Sequence, residues 1–405
     1  MQTNNKQIQE LIDNIDKIDQ NNLDNNFFNN IFYKIKYGLN KISESIDDFS
    51  KRNPLFFYSI KRIMFAIITL YVATAVIYFF MTIVMNDTVY VKDITDQQWN
   101  AMGIVKRSPE YYAFISDRKK MLGVDGPLLK QILFYWRNVT PIIPKNVTIS
   151  SEIDASGQII NVQEKKFFYL GLTLSEIGSK PLRTPIQEIF WEAMPKSFVV
   201  GILATSLSYL IGVPLGIYAA LKKEKHQDNI INIFSFTIIA LPTLVIIQLL
   251  YLISLNAGAN TSWNTGDMFT KVFPIIGLFL LISPSIIVST RRFMVDEMTS
   301  DYTKFAYSKG MTQKYTFFVH IFRNSFVKMV RDIPTVFVFS IFGSSLIIER
   351  VWGIPGMSSI IVDGISKNDL FTVMGYTFLS ASAGILTQLI GDLLLAILDP
   401  RVRLR

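Results

Sequence analysis

The stretch from Ile63 to Met85 reads IMFAIITLYVATAVIYFFMTIVM and contains no charged residue. An α-helix needs about 20 apolar residues to cross roughly 30 Å of hydrocarbon, so this stretch is long enough to span a bilayer. The rest of the chain has the same character, since half of its 405 residues are hydrophobic and 13% are aromatic. We therefore predict a membrane protein.

Five further stretches are apolar enough to be transmembrane helices. They are Ser197–Leu221, Ile230–Leu255, Val272–Thr290, Ile333–Ile348 and Phe371–Leu398. The run from Ile333 to Ile348 is short, so we expect Asp332 or Glu349 to lie at an interface or to face a polar cavity. The predicted fold class is all-α, a polytopic membrane protein with six transmembrane helices.

The distribution of basic residues predicts how these helices are oriented, because lysine and arginine concentrate in short cytoplasmic loops. With the N-terminus inside, residues 221–230, 291–332 and 400–405 are cytoplasmic and hold fourteen Lys and Arg residues, against three in the short loops on the other side. We therefore predict that both termini are cytoplasmic. The same bias accounts for the net charge of +8, so no nucleic-acid partner is expected.

This topology divides the chain into four parts. Residues 1–56 are a cytoplasmic extension, which is either partly disordered or an amphipathic helix. Residues 57–86 form the first transmembrane helix, and residues 87–196 form a large extracytoplasmic loop. Residues 197–405 form a five-helix core that contains a cytoplasmic loop at 291–332.

Composition excludes several classes of chemistry. The chain has no cysteine, so thiolate metal sites and iron–sulfur clusters are excluded, and its two histidines leave little for a histidine-built metal site. No clustered carboxylates and no serine–histidine pair suggest catalysis. We expect no catalytic residue, no metal and no cofactor on this chain.

Small residues and prolines predict where the helices approach one another and where they bend. Gly212 and Gly216 have the spacing that brings membrane helices into close contact, and Ser380 and Gly384 have the same spacing in the last span. Proline removes a backbone donor and disturbs a helix, so we expect bends near Pro214 and in the third span, at Pro242.

The loop between the fourth and fifth spans reads DYTKFAYSKGMTQKYTFFVHIFRN, from Asp301 to Asn324. Ser300 or Asp301 can cap a first short helix, and Gly310 can end it because glycine readily adopts a left-handed conformation. Thr312 can cap a second helix that runs on toward the fifth span. The pattern predicts two amphipathic helices joined at a glycine elbow.

Two interpretations of this elbow are open from the residues alone. Its apolar ridge, with Tyr302, Phe305, Ala306, Tyr315 and Phe318 as candidate residues, can insert together with its basic rim into a groove on a partner protein. They can equally lie on an anionic lipid surface, where aromatic and basic side chains are also favoured.

The order of residues in the loop resembles a known family. Asp301-Tyr302, Ala306, Lys309-Gly310, His320 and Arg323-Asn324 resemble the cytoplasmic EAA motif of permease subunits of bacterial ABC importers, in particular the B-type permeases for oligopeptides and dipeptides. Further segments agree in order, among them LGVDGPLLKQILFY, RRFMVDEM, IIERVWGIPGM and GDLLLAILDPRVRLR.

The resemblance implies a type I ABC importer permease fold in the bacterial cell membrane, with a cytoplasmic coupling helix that contacts an ATPase. No glycine is followed directly by lysine, so the chain has no phosphate-binding GxxxxGK loop and ATP with Mg²⁺ is expected on partner subunits. The implied partners are a second permease subunit, two cytoplasmic ATP-binding subunits, an extracytoplasmic peptide-binding protein and the lipid bilayer. The expected coupling residues are Asp301, Tyr302, Phe305, Ala306, Lys309, Gly310, Tyr315, Phe318, His320, Arg323 and Asn324.

A second candidate site follows the fifth span. The turn WGIPGM, Trp352–Met357, has the glycines and proline of a tight turn, and the resemblance implies a scoop-like outer loop that gates the pathway or meets the receptor. Its candidate residues are Glu349, Trp352, Gly353, Pro355 and Gly356.

The predicted function is therefore that of a permease subunit, which forms half of the translocation pathway for oligopeptides in an importer driven by separate ATPase subunits. An importer of the same type for dipeptides, nickel or another small solute is the first alternative. A stand-alone channel or secondary carrier is the alternative of another class, although few ionisable residues lie within the spans.

Overall fold

The structure is a computed structural model that describes residues 37, 54–142, 144–153 and 159–398. The prediction of a disordered or amphipathic N-terminal extension lies almost entirely outside the described residues. The chain divides into a unit of Met1–Lys61 with Leu404–Arg405 and a unit of Arg62–Arg403. The packing described below is that of the second unit.

The described part is helical apart from one hairpin. Its helices are α1 (Pro54–Val84), α2 (Asp96–Ala101), α3 (Pro109–Leu122), α4 (Leu128–Val139), α5 (Ile186–Leu221), α6 (His226–Ala240), α7 (Thr243–Asn256), α8 (Met268–Met298), α9 (Asp301–Ser308), α10 (Gln313–Thr316), α11 (Arg323–Phe339), α12 (Ser345–Val351), α13 (Met357–Ser366) and α14 (Leu370–Leu398). The hairpin pairs β1 (Lys145–Ile153) with β2 (Ile159–Lys166) in antiparallel register, and the sequence analysis did not predict it.

Five helices of the described chain are long and apolar enough to cross a membrane, and the count reaches six when the bent pair α6 and α7 is taken as one span. The bend between α6 and α7 is 100°. Leu241 is extended there because it precedes Pro242, and residues before proline avoid the helical region. The predicted bend at Pro242 is therefore confirmed, whereas α5 continues through Pro214.

The fifth span is much longer than the run that predicted it. Helical structure extends from Gln313 to Val351, through two π-helical turns at Phe317–Phe322 and Ser340–Ser344. Asp332 consequently lies inside this helix rather than before it. One continuous helix thus joins the 301–324 loop to the turn that follows Val351.

Glycine packing is confirmed in one of the two predicted places. A Cβ atom at Gly216 would lie 2.7 Å from the backbone oxygen of Ile287, so α5 and α8 approach closely only because this position has no side chain. Gly212 makes a similar approach to Ile286. Nothing in the described chain lies within 4 Å of the Cβ position at Gly384, so close packing of the last span there stays a prediction.

The segment between α1 and α5, residues 87–185, carries α2, α3, α4 and the hairpin, and it is fastened to the start of α14 by a buried carboxylate. Asp369 accepts hydrogen bonds from the backbone N–H groups of Leu174 (2.6 Å) and Ser175 (2.9 Å), and from that of Thr372 (3.1 Å). Burial raises the pKa of Asp369, and the three N–H donors oppose that rise.

Replacing Asp369 by alanine should destabilise the fold, because three buried N–H groups lose their acceptor. We expect a loss on the order of 3 kcal/mol in the free energy of unfolding, seen as a lower melting temperature of the purified chain in detergent. Asp117→Ala is the matched control, because it removes only an exposed pair with Lys120. Equal melting temperatures for the two variants would contradict this role of Asp369.

Candidate functional site

The loop between α8 and α11 contains the glycine elbow that the sequence predicted. Helix α9 ends at Ser308, and Gly310 follows with φ +78°, the left-handed region that glycine adopts without strain. The N–H of Gly310 donates to Tyr307 O (2.9 Å) and that of Met311 to Ala306 O (3.2 Å), which satisfies carbonyl groups at the helix end.

The two predicted caps have different outcomes. Thr312 caps α10, since its hydroxyl accepts a hydrogen bond from the N–H of Tyr315 at 3.4 Å. Ser300 occupies the capping position of α9, but its hydroxyl donates to Glu297 O (2.7 Å) instead of accepting from the helix. The side chain of Ser300 therefore fastens the loop back to the end of α8.

Glu297 is the anchor of the loop, and the sequence analysis missed it. Its carboxylate pairs with the ammonium of Lys328 (2.6 Å) and accepts a hydrogen bond from the hydroxyl of Tyr302. Burial raises the pKa of Tyr302, and the bond to Glu297 raises it further. The amide of Asn324 also hydrogen-bonds to Tyr302. The acidic residue in the last turn of RRFMVDEM was the signal available in the sequence.

The predicted ridge needs one correction. Ala306 is buried, as is Thr303, so these two residues form the inner face of α9 against the bundle. The exposed aromatic surface consists of Phe305, Tyr307, Tyr315 and Phe318, of which Phe305 is 60% and Phe318 64% exposed.

Three charged residues of the loop, Asp301, Lys304 and Lys309, have partners within the loop. Lys309 lies over the ring of Phe305 at 4.5 Å, and Asp301 pairs with Lys304 at 3.0 Å. The ring of His320 lies between those of Tyr302 and Tyr315, at 6.3 and 6.1 Å. Arg323 is exposed. The structure therefore brings the predicted loop residues onto one projection, with Tyr302 and Asn324 at its base.

A second ion pair fastens the same end of the bundle. The guanidinium of Arg291 on α8 donates two hydrogen bonds of 2.6 Å to Asp228 in the first turn of α6. Asp228 also accepts from the N–H of Glu224 at 2.9 Å. The paired geometry fixes the connection between α5 and α6 to α8. The sequence analysis did not single out either residue.

The turn after the fifth span is built around Glu349, which is fully buried. One carboxylate oxygen accepts from the Ser197 hydroxyl (2.7 Å) and the other from the Ser359 N–H (3.0 Å). The Ser197 oxygen in turn accepts from the N–H of Met357 (2.8 Å). The carboxylate therefore joins α5, α12 and α13.

The other predicted residues of this turn are mostly packed rather than displayed. Trp352 is fully buried, its backbone oxygen accepts from the N–H of Trp263 (2.8 Å), and its ring meets that of Tyr251 edge-on at 5.4 Å. Gly353 is exposed with φ +59°, and Pro355 is half-buried. Gly353 is the residue of this turn that solvent reaches most easily.

One cavity of the described chain lies between α5, α8 and α11, with a volume of about 310 Å³ that includes space open to solvent. Its lining combines apolar side chains with hydroxyl groups and one charged group, and the polar residues are Tyr209, Ser285, Ser289, Thr290 and Asp332. Whereas Glu349 is fully buried, Asp332 lines this cavity, whose wall is only partly polar. No described residue forms an ion pair or hydrogen bond with this carboxylate.

Gly356 should be intolerant of a side chain. A Cβ atom there would lie 2.5 Å from both Glu349 Cδ and Ser197 Oγ, so Gly356→Ala must separate the groups that join α5, α12 and α13. We expect a melting temperature several degrees below that of the parent chain. Gly384→Ala, in a helix position with open space, is the control and should melt like the parent. If Gly356→Ala also melts like the parent, the contacts around Glu349 are not close-packed.

The fold, with the 301–324 loop held by Glu297 and the later turn held by Glu349, is that of a helical protein with several membrane spans. A family model described as binding-protein-dependent transport system inner membrane component matches residues 212–404. The oligopeptide transport system permease protein OppB of Haemophilus influenzae is 30% identical over 224 residues, covering 54% of this chain and 72% of that protein. The dipeptide transport system permease protein DppB of Lactococcus lactis subsp. cremoris is 30% identical over 247 residues, covering 60% and 80%.

The chain belongs to the family of binding-protein-dependent transport system inner membrane components. It is thus a multi-pass component of the inner membrane and not the ATPase. Its match to the oligopeptide permease AmiC of Streptococcus pneumoniae, also 30% identical, covers 51% of this chain and spans only 42% of the length of AmiC. Among solved structures, the inward-facing MetNI methionine ABC transporter has a TM-score of 0.43 at 13% identity, covering 53% of this chain and 98% of that one.

Proposed function

We propose that this chain is a transmembrane permease subunit of an ATP-driven importer and forms half of a translocation pathway for oligopeptides. The supporting observation is the roughly 30% identity to OppB and AmiC, which are named as oligopeptide permeases. Its partners are a second permease subunit, two cytoplasmic ATP-binding subunits and an extracytoplasmic peptide-binding protein. Both termini are cytoplasmic, as the positive-inside bias favours.

The 301–324 loop is the contact with the ATP-binding subunits in this proposal. Phe305, Tyr307, Tyr315 and Phe318 are exposed together, and aromatic residues clustered at a rigid projection suit insertion into a groove. The anchor at Glu297 makes the projection move with α8 and α11 instead of independently. ATP and Mg²⁺ bind to the partner subunits.

Coupling requires that the partner contact the loop differently in two conformations, because only differential contacts shift an equilibrium. ATP binding draws the two ATPases together and displaces the loops, and the spans change from inward-facing to outward-facing. Hydrolysis then resets them. The cavity beside Asp332 belongs to the inward-opening part of the pathway in this mechanism.

The turn around Glu349 is the outer gate or the surface that meets the receptor. The burial of Glu349, Trp352 and Gly356 favours the gate, because only a small part of the turn is available for contact with another protein. Import of dipeptides is the second candidate, supported by the comparable identity to DppB.

Uptake into proteoliposomes tests the proposal. The chain, reconstituted with the permease, ATPase and binding-protein subunits encoded with it, should take up labelled oligopeptides in the presence of ATP, with little uptake of dipeptides. ATP-dependent uptake of dipeptides alone would select the second candidate. Transport by the purified chain without any ATPase would overturn the proposal in favour of a channel or carrier.

Variants at Gly310 distinguish a role of the elbow in coupling from a role in folding. Nothing lies within 4 Å of its Cβ position, so a side chain fits, but the backbone with φ +78° disfavours β-branched residues by about 1–2 kcal/mol. Gly310→Val should therefore distort the elbow and lower ATP-dependent uptake severalfold, while the ATPases still co-purify. Asparagine tolerates this conformation, so Gly310→Asn is the control and should retain uptake.

Two results would contradict the role of Gly310. Normal uptake by Gly310→Val would show that the shape of the elbow does not matter for transport. Loss of the purified chain itself would show that the elbow serves folding instead of coupling.

A further inference from the structure

Helix α4, in the segment between the first two spans, lies alongside α1 and not beyond its end. Three hydrogen-bonded pairs fix its position: Tyr78 with Gln131 (3.2 Å), Thr74 with Trp136 (3.2 Å), and Tyr71 with Thr140. Residue numbers rise along α4 as they fall along α1, so the two helices are antiparallel. The rings of Tyr71 and Trp136 also meet edge-on at 5.1 Å.

These contacts reach far down α1. Tyr78 and Tyr71 lie six and thirteen residues before Val84, the last residue of α1. At 1.5 Å per residue, the contacts made by α4 and by Thr140 directly after it therefore lie from about 9 Å to about 20 Å below the end of α1. A segment that stood wholly outside the membrane would contact only the last turn of this helix.

The part of α1 that α4 contacts is apolar on its exposed side. Phe79, Phe80, Ile83 and Val84 are large, exposed and apolar, and an extension of this end into water would leave all four in contact with solvent. At the other end, Arg62 pairs with Asp392 of α14. The helix from Arg62 to Val84 is about 33 Å long, close to the thickness of the hydrocarbon core.

The outward face of α4 is apolar. Leu129 is 67% exposed and Leu133 51%, and Ile142 just beyond the helix is 75% exposed. The two leucines are four residues apart and therefore lie on the same face. This face continues the exposed apolar surface of α1.

The charged residues of α4 are placed as a helix entering the bilayer requires. Lys130, in the first turn, pairs with Asp125 (2.7 Å), outside the helix. Arg137 stacks on the ring of Phe134 at 4.6 Å, one turn closer to the start of α4. Its guanidinium is therefore directed toward the membrane surface, as long basic side chains are when they snorkel.

The last carbonyl groups of α4 accept hydrogen bonds from residues that follow the helix in the chain. The ammonium of Lys145 donates to the carbonyl oxygens of Arg137, Asn138 and Thr140, and the N–H of Tyr169 donates to Asn138 O at 3.0 Å. Water normally serves the last carbonyl groups of a helix, but hydrocarbon cannot. The protein supplies the donors here, which is the arrangement needed at membrane depth.

We propose that α4 is embedded in the bilayer beside α1, with Leu129, Leu133 and Ile142 in contact with lipid acyl chains. Segment 87–185 is then not a purely extramembrane loop, since its third helix enters the membrane and returns. Lipid is the occupant of this face because the face is continuous with the lipid-facing side of α1. The proposal stands independently of the transported substrate.

The absence of cysteine from the 405-residue chain allows a direct test. Single variants Leu129→Cys, Leu133→Cys and Ile142→Cys are spin-labelled in the full chain, reconstituted in phospholipid vesicles. Collision of each label with oxygen, which concentrates in lipid, is compared with collision with a water-soluble nickel chelate. Val76→Cys, exposed on α1, is the lipid control, and Tyr112→Cys, exposed on α3, is the water control.

We expect the ratio of oxygen to nickel collisions at residue 133 to match residue 76 and to exceed that at residue 112 severalfold. The ratio should rise from residue 129 to residue 133, because Leu133 lies one turn farther along α4. If the nickel chelate reaches residue 133 as easily as residue 112, the face of α4 is exposed to water and the proposal is wrong. If residue 133 is shielded from both reagents, another protein covers this face and the proposal is also wrong. None of these readouts depends on transport, so failure here is distinct from failure of the proposed function.

Discussion

A buried carboxylate that forms no ion pair with any described residue holds one end of the bundle together. Glu349 has hydrogen-bond donors from Ser197 and Ser359, and through Ser197 it also engages the N–H of Met357. Removal of a carboxylate from water is costly unless several donors replace the solvent, so each of these donors is needed where it lies. This requirement fixes α5, α12 and α13 relative to one another, and Gly356 is glycine because no side chain fits between them.

Three further carboxylates join elements of the bundle, Asp369 through N–H donors and Asp228 and Glu297 as ion pairs. Asp369 joins segment 87–185 to α14, Asp228 joins α6 to α8, and Glu297 joins the 301–324 loop to α8 and α11. Between these joints the helices meet through apolar and small residues, as at Gly216 against Ile287. Apolar packing alone discriminates weakly between positions in a lipid environment, so the polar joints at the ends determine which helices are neighbours.

The sequence predicted the features that depend on local patterns. Charge-free runs located the spans, Gly310 and Thr312 located the elbow, and Pro242 located the bend, because backbone conformation at these positions is determined by the residue itself. Contacts between distant residues were not predictable. Glu297 and Asp228 look like ordinary boundary charges until the fold brings Lys328 and Arg291 to them, and Ala306 was assigned to the ridge because helical periodicity does not say which side faces the bundle.

The fifth span is long enough to connect the 301–324 loop directly to the turn around Glu349, which neither motif reveals by itself. From Gln313 to Val351 the helix has 39 residues, or about 58 Å at 1.5 Å per residue. It begins at the aromatic projection of the 301–324 loop and ends beside Glu349. Three places along it are irregular: the π-helical turns Phe317–Phe322 and Ser340–Ser344, which lie toward its ends, and Pro334, which lies near the middle and removes a backbone donor. The middle of the helix borders the cavity at Asp332, two residues before Pro334, so a displacement of the loop reaches the Glu349 turn unless Pro334 or one of the π-helical turns absorbs it.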